Sequence, residues 1–270
     1  MQSHQPNNGN GASGTTCSPI VDLRQYTLYP GTRDGFVELF DREFVETQEA
    51  AGMRIIGQFR DLGDPNRFVW LRGFPDMPSR QKALTDFYLH GAAWRTYSEV
   101  ARSKMIDSTD ALLLRPARVD CGFSLELPNR RPALDSAVPQ GIIVATIYSL
   151  PAPADVDFLA FFEGTVDPLL RGAGAIILAS FVTEHSRNNF PRLELREGEN
   201  VFTLFAGFKD LAAYHAHMTA LGRNPHWRGE VAPALMRRIH GRPHVLRLAP
   251  TSRSQLRVTS RSGDDCHVIE

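Results

Sequence analysis

Arg67-Phe68-Val69-Trp70-Leu71-Arg72-Gly73-Phe74-Pro75-Asp76-Met77-Pro78-Ser79-Arg80 reads as a strand over Arg67–Phe74, an aspartate placed to cap a helix, and the start of that helix at Met77. The pattern recurs further along the chain. Phe74 is matched 134 positions later by Phe208, Asp76 by Asp210 and Pro116 by Pro250. Upstream the offset is 122, carrying Phe36, Phe40, Gly52 and Phe59 onto Phe158, Phe162, Gly174 and Phe181. Trp94 falls one short of the longer offset, at Trp227. A repeat of this length is a duplicated unit rather than a short motif. The change of offset places an insertion in the loop 184–200.

Each half spells strand, helix, strand, strand, helix, strand. In the first, the strands are Ile20–Tyr29, Met53–Leu62, Arg67–Phe74 and Ala111–Arg115. Phe36, Leu39, Phe40 and Phe44 form a helical stripe, and a helix from Met77 to Arg102 breaks near His90-Gly91. In the second, strands at Ile142–Leu150, Ala175–Thr183, Val201–Phe208 and Val245–Leu248 alternate with helices around Phe158–Leu169 and Leu211–Ile239. The fold class is therefore α+β: two tandem ferredoxin-like β-α-β-β-α-β repeats that close an intramolecular α/β barrel by burying their bare sheet faces against each other. The expected organisation is a disordered tail over 1–19, a domain over 20–116, a linker over 117–140, a diverged second domain over 141–250 and a disordered tail over 251–270.

The chain has 270 residues, 42% of them hydrophobic, enough for a large core. Thirty basic residues balance thirty acidic ones. That balance gives no electrostatic reason for nucleic acid or an anionic membrane as partner. Lys82, Lys104 and Lys209 are the only lysines beside many arginines, a skew that points to a GC-rich bacterial genome. Cys17, Cys121 and Cys266 make no CxxC motif or disulfide framework, which suits a reducing cytoplasm. The N-terminal stretch lacks a signal-peptide apolar core, and no apolar run is long enough to span a bilayer.

Asp22-Leu23-Arg24-Gln25-Tyr26-Thr27-Leu28 followed by Pro30-Gly31, then Gly57-Gln58-Phe59-Arg60, Gly63-Asp64 and Phe68–Phe74, resemble the opening strand and central hairpin of NIPSNAP-family proteins. The resemblance covers most of Val21–Pro116. In the second half Tyr148 and Leu150-Pro151 are what remains of it. The resemblance implies the dimeric α/β-barrel superfamily, whose members include small monooxygenases, haem dehydratases, chlorite dismutases and structural proteins. It supplies no shared catalytic residues, so function rests on the site itself.

Side chains alternate across a strand. One face carries Asp22, Arg24 and Tyr26, then Gln58 and Arg60, then Phe68, Trp70 and Arg72; the other carries Val21/Leu23, Ile55/Phe59 and Val69/Leu71. The apolar set suits packing on helices, so the mixed set is expected to face the barrel interior. Its second-half counterparts, Thr146, Tyr148, Ser180, Val182, Leu204 and Ala206, are far less polar. The result would be an apolar pocket with a few converging polar groups, the usual form of a small-molecule site.

Arg24, Tyr26, Arg72 and His185 are the candidate catalytic residues. Gln58, Arg60, Trp70, Tyr148, Leu204 and Ala206 are the candidate substrate contacts. Arginine would hold a carboxylate or enolate, and Tyr26 or His185 would move a proton. Alternatively the arginines pair with Asp22, Asp61 or Glu184 as buried structural ion pairs or sit at a solvated rim, and Trp70 is a packing residue. No nucleotide-loop, zinc-hydrolase, serine-hydrolase or CxxC motif is present.

The reading is a cofactor-free bacterial enzyme of lyase, isomerase or monooxygenase type, binding a small, anionic organic metabolite, with no metal. One alternative is a non-catalytic binding or interaction module. A second is a haem protein with His185 as iron ligand. The expected partner is the small-molecule ligand, and the expected assembly is a pseudo-twofold monomer or a homodimer.

Overall fold

The computed structural model describes residues 18–125, 139–260 and 266–268. The expected disorder over 1–17 lies outside these residues, as do 126–138 of the linker. The first half runs β1 (Ile20–Leu28), α1 (residues 33–50, with a π turn at Phe40–Phe44), β2 (Arg54–Asp61) and β3 (Arg67–Phe74). It continues with α2 (77–90), α3 (Ala92–Arg102), the short β4 (Met105–Asp107) and β5 (Ala111–Pro116). The second half runs β6 (Ile142–Ser149), α4 (156–172, with a π turn at Phe162–Val166), β7 (Ile176–Thr183), β8 (Val201–Phe208), α5 (Leu211–Arg223), α6 (227–236) and β9 (His240–Pro250). Asp76 and Asp210 cap α2 and α5 by accepting from the backbone N–H of Ser79 and Ala213.

Eight strands close into an antiparallel barrel in the cyclic order β1-β3-β2-β9-β6-β8-β7-β5. β4 adds only a short pairing to β1. The matched positions pair alike in the two halves. Arg24 faces Trp70 as Thr146 faces Leu204, and Asp22 faces Arg72 as Val144 faces Ala206. The register slips between Ile55 and Gly57 in β2, and again between Ile177 and Ala179 in β7. Gly52 and Gly174 take φ of 97° and 98° at the ends of their helices, a left-handed conformation open to glycine at little cost.

The interior is a packed apolar core, which corrects the expected orientation of the sheets. Val21, Leu23, Phe59, Val69 and Leu71 meet Ile143, Ala145, Phe181, Phe205, Leu246 and Leu248 inside. The polar and aromatic face turns outward, under the helices. There Phe36 and Phe40 of α1 pack on Phe68 and Trp70 at ring separations of 5.1 and 4.9 Å. Ile55 joins this outer layer because the slip in β2 moves it to the helix side. An eight-stranded barrel is narrow enough for side chains to fill, and here apolar side chains fill it and leave no room for solvated guanidiniums.

The tail and linker also differ from expectation. Phe123 of the linker enters the barrel core and packs against Phe181 and Phe205 at 5.0 Å. Thr251 to Val258 fold back over the barrel instead of forming a disordered tail. Leu256 and Val258 join the same core, and the Leu256 N–H donates to the Ile56 carbonyl at 2.8 Å. Gly207 makes room for Val258, whose methyl would sit 2.5 Å from any Cβ there. Arg253 donates to the Asp41 carbonyl and pairs with Glu46 of α1. Two apolar side chains lack a periodic signature, yet both join the barrel core.

No described helix is long and apolar enough to cross a membrane. Leu256 is 1% exposed, so Leu256→Ala should cost about 2–5 kcal/mol. Urea denaturation should show this as a lower midpoint with an unchanged slope, and truncation after Pro250 should lower it further. A midpoint equal to that of the intact chain would mean that the segment does not hold the barrel.

Candidate functional site

Beneath the first-half helices a carboxylate sits between two guanidiniums. Asp22 and Arg72 face each other across β1 and β3, and Arg80 reaches in from the first turns of α2. Arg72 Nε donates to Asp22 Oδ2 at 2.9 Å, its Nη2 lies 2.8 Å from the same oxygen, and Arg80 Nε donates to Oδ1 at 3.1 Å. All three side chains are fully buried. Burial pushes the Asp22 carboxyl up, but Arg80, Arg72 and Arg24 together more than offset this and hold it below its ordinary value. Arg72 also donates to Tyr88 Oη at 3.2 Å and lies 4.8 Å from the centre of the Trp70 ring.

Arg24 is buried as well. Its Nη2 donates to the carbonyls of Ser108 and Glu194, at 3.0 and 3.4 Å, while Nε and Nη1 have no hydrogen-bond partner. Three guanidiniums thus surround one carboxylate, leaving this buried cluster with excess positive charge.

A cavity of about 180 Å³ opens beside the cluster. Its walls include the rings of Tyr26, Phe40, Phe44, Trp70, Phe87, Tyr88, Trp94 and Phe190, together with Gln48 and Ser108. The Trp70 indole N–H is buried without a partner. Arg102 and Arg192 stand exposed at the rim, and the described lining contains no carboxylate, histidine or cysteine. Phe190 and Arg192 belong to the insertion of the second half, which therefore covers the cavity of the first. Asn189 Oδ1 accepts from Arg80 Nη1 at 2.7 Å, and Asn189 Nδ2 donates to the Met77 carbonyl at 2.6 Å. Arg196 anchors the far end of the insertion on Asp110 at 3.0 Å.

The sequence candidates divide between places. Tyr26 and Trp70 line this cavity, and Arg24 and Arg72 lie in the cluster beside it. Gln58 is buried under α1, donating to Asp41 Oδ1 at 3.3 Å. Arg60 leaves the site and pairs with Asp34 at 2.9 Å. Tyr148, Leu204 and Ala206 line a different cavity, under the second-half helices, because each sheet faces its own helices across the barrel. His185 is exposed at the base of the insertion and lines neither of these cavities. The residues present do not fit a haem held through His185.

Arg80, Tyr88, Gln48 and Arg102 escaped the strand-based reading because they sit on helices. The signal for Arg80 was Asp22, a carboxylate on a buried strand, which needs a charged or hydrogen-bonding partner. Among the described residues, no group of three or more His, Cys, Asp or Glu is arranged to hold a metal ion.

Comparison with known proteins agrees with this architecture. The NIPSNAP family model matches residues 21–119. The match falls on the first half, where the opening strand and hairpin resemble that family. No curated protein matches the chain. Among solved structures, an anthrone oxidase-like protein superposes with a TM-score of 0.53 at 12% identity, over 88% of this chain and 95% of its own. A Fusobacterium nucleatum protein provisionally named a monooxygenase superposes with a TM-score of 0.50 at 10% identity, over 87% of this chain and 93% of its own. At these identities the likeness is one of fold. A NIPSNAP family protein of unknown function from Agrobacterium tumefaciens is 19% identical over 37% of this chain and 90% of its own, with a TM-score of 0.35.

Removing the Asp22 charge leaves two buried guanidiniums facing each other. Asp22→Asn should therefore cost about 3–5 kcal/mol at neutral pH. The folded chain holds this carboxyl below its unfolded value of 3.8. Its stabilising contribution is thus whole above that pH and is lost as the pH falls through the lower, folded value. Urea midpoints of the two proteins should be separated by a constant gap above pH 3.8, and the gap should narrow below it. A gap that widens on acidification would contradict this assignment.

Proposed function

We propose that the first-half cavity binds a small, planar organic anion, such as an aromatic carboxylate or a phenolate, and that the chain acts on it without a cofactor. The observation that carries this is the buried excess of positive charge beside an aromatic cavity whose indole donor is unpartnered. Stacking walls suit a flat ring. The Trp70 N–H and the rim arginines suit an oxyanion, and the buried guanidiniums favour negative charge beside them.

Of the three reaction types, oxygenation suits this lining best. Lyase and isomerase chemistry calls for a strong general base, and the described lining offers only tyrosines. In oxygenation the bound anion itself supplies the electrons. Dioxygen is the co-substrate: a phenol's ring C–H carbon takes one oxygen atom as a carbonyl. The other oxygen leaves as water with that carbon's hydrogen and the phenolic hydrogen, so that the phenol becomes a quinone and no outside reductant is needed. Tyr26 and Tyr88 are the groups placed to carry protons. The common register of the two halves further supports their origin as tandem ferredoxin-like repeats.

A second reading, binding without catalysis, is favoured by one fact: Arg72, first considered catalytic, is engaged by Asp22 and Tyr88. Oxygen uptake on addition of a bound phenol or enol separates the two readings.

Calorimetry with benzoate, salicylate and 4-hydroxybenzoate against their amides tests the site. The acids should bind and the amides should not. The double variant Arg102→Gln/Arg192→Gln, altered only at exposed positions, should weaken acid binding about tenfold or more, given roughly 1.5–3 kcal/mol for a charge-assisted hydrogen bond. Amides that bind as well as acids would remove the anion from the reading.

A further inference from the structure

The second half holds its own cavity, larger than the first at about 480 Å³. It occupies the matching place, between the outer face of β6 and β8 and helices α5 and α6. Its size comes from the residues that replace the charged cluster. Where the first half has Asp22, Arg72, Arg80 and Gln48, the second has Val144, Ala206, Tyr214 and Leu170, all lining the cavity. At the position of the Arg72 guanidinium the second half has only the methyl of Ala206, which lines the cavity.

We propose that this cavity is a second ligand site, separate from the anion site, taking a neutral, mostly apolar ring compound with one hydrogen-bond donor. The volume lies within the range of about 300–1,000 Å³ common to small-molecule sites. Among the described lining residues there is no carboxylate, and Arg242, the one permanently charged side chain, is exposed to solvent. No buried cation replaces Arg72, so an anion would lose its hydration without gaining a charged partner.

The polar complement is narrow. His217 lines the cavity, is 6% exposed, and its Nδ1 lies 3.2 Å from the Ala173 carbonyl. A carbonyl accepts, so Nδ1 carries the hydrogen and Nε2 the lone pair. Burial lowers the His217 pKa, which keeps the ring neutral. The cavity therefore offers an acceptor to a hydroxyl or N–H on an otherwise apolar ligand.

The entrance supports the same class. Met218 and Met236 both line the cavity and are 50% and 45% exposed. Flexible, polarisable thioethers at an opening adapt to an apolar guest.

N-phenyl-1-naphthylamine, a neutral two-ring fluorophore with a single N–H, tests the proposal. Its emission should rise saturably with one molecule bound per chain, and excess benzoate should not displace it. Ala206→Phe, which fills the floor, should weaken binding at least about tenfold, with circular dichroism reporting on folding. Met218→Trp, at the exposed entrance, should weaken it as well and decides the matter if Ala206→Phe does not fold. The proposal is overturned if the intact chain shows no saturable binding. Displacement of the probe by benzoate, or undiminished binding in Met218→Trp, also overturns it.

Discussion

A four-stranded antiparallel sheet with helices on one side has two unpaired edges and one uncovered apolar face, and this chain resolves both with its own second half. The edges join at β2–β9 and β5–β7, through three residue pairs at each seam. The uncovered faces become the two sides of a single closed core. Closure removes the free edges that would otherwise template further pairing. It also fixes where chemistry can occur. Once Phe123, Leu256 and Val258 have joined the apolar side chains of eight strands, the interior is filled by a packed apolar core. The two cavities described above and the charged cluster lie on the outer faces of the sheets, where helices stand off the strands.

That division explains which features were legible in the sequence. The repeat offsets predict the strand pairs, and the pairs occur in matching register. The break at His90-Gly91 and the aspartate caps follow from local chemistry. The direction of each face was not legible, because alternation distinguishes two faces without saying which is inside. The usual guide, that the polar face meets water, fails on β3, where Phe68 to Phe74 are all buried. Polar Arg72 is buried under helices because Asp22, Gln48 and Tyr88 satisfy it there. Two of those partners lie on helices whose orientation depends on tertiary packing. The covering role of the insertion was equally hidden, since Asn188 and Asn189 become ligands of Arg80 only after the barrel brings the halves together.

The two halves also form an internal comparison. Both build the same strand order and both stack phenylalanines of their first helix on a buried ring, Phe36 on Phe68 and Phe158 on Phe202, at 5.1 and 5.3 Å. One nevertheless buries a charged cluster where the other has valine, alanine and tyrosine. Replacing a buried ion pair by apolar side chains is commonly neutral or stabilising, since desolvation consumes most of the Coulombic gain. The second half builds the same framework without the charges. Folding alone therefore does not account for Asp22, Arg72 and Arg80, still less for Arg24, which keeps two nitrogens unpartnered in the interior. A positive field beside an aromatic cavity would account for them, and that is the ground of the anion proposed for the first half. The enlarged second cavity, freed of that field, suits a neutral guest.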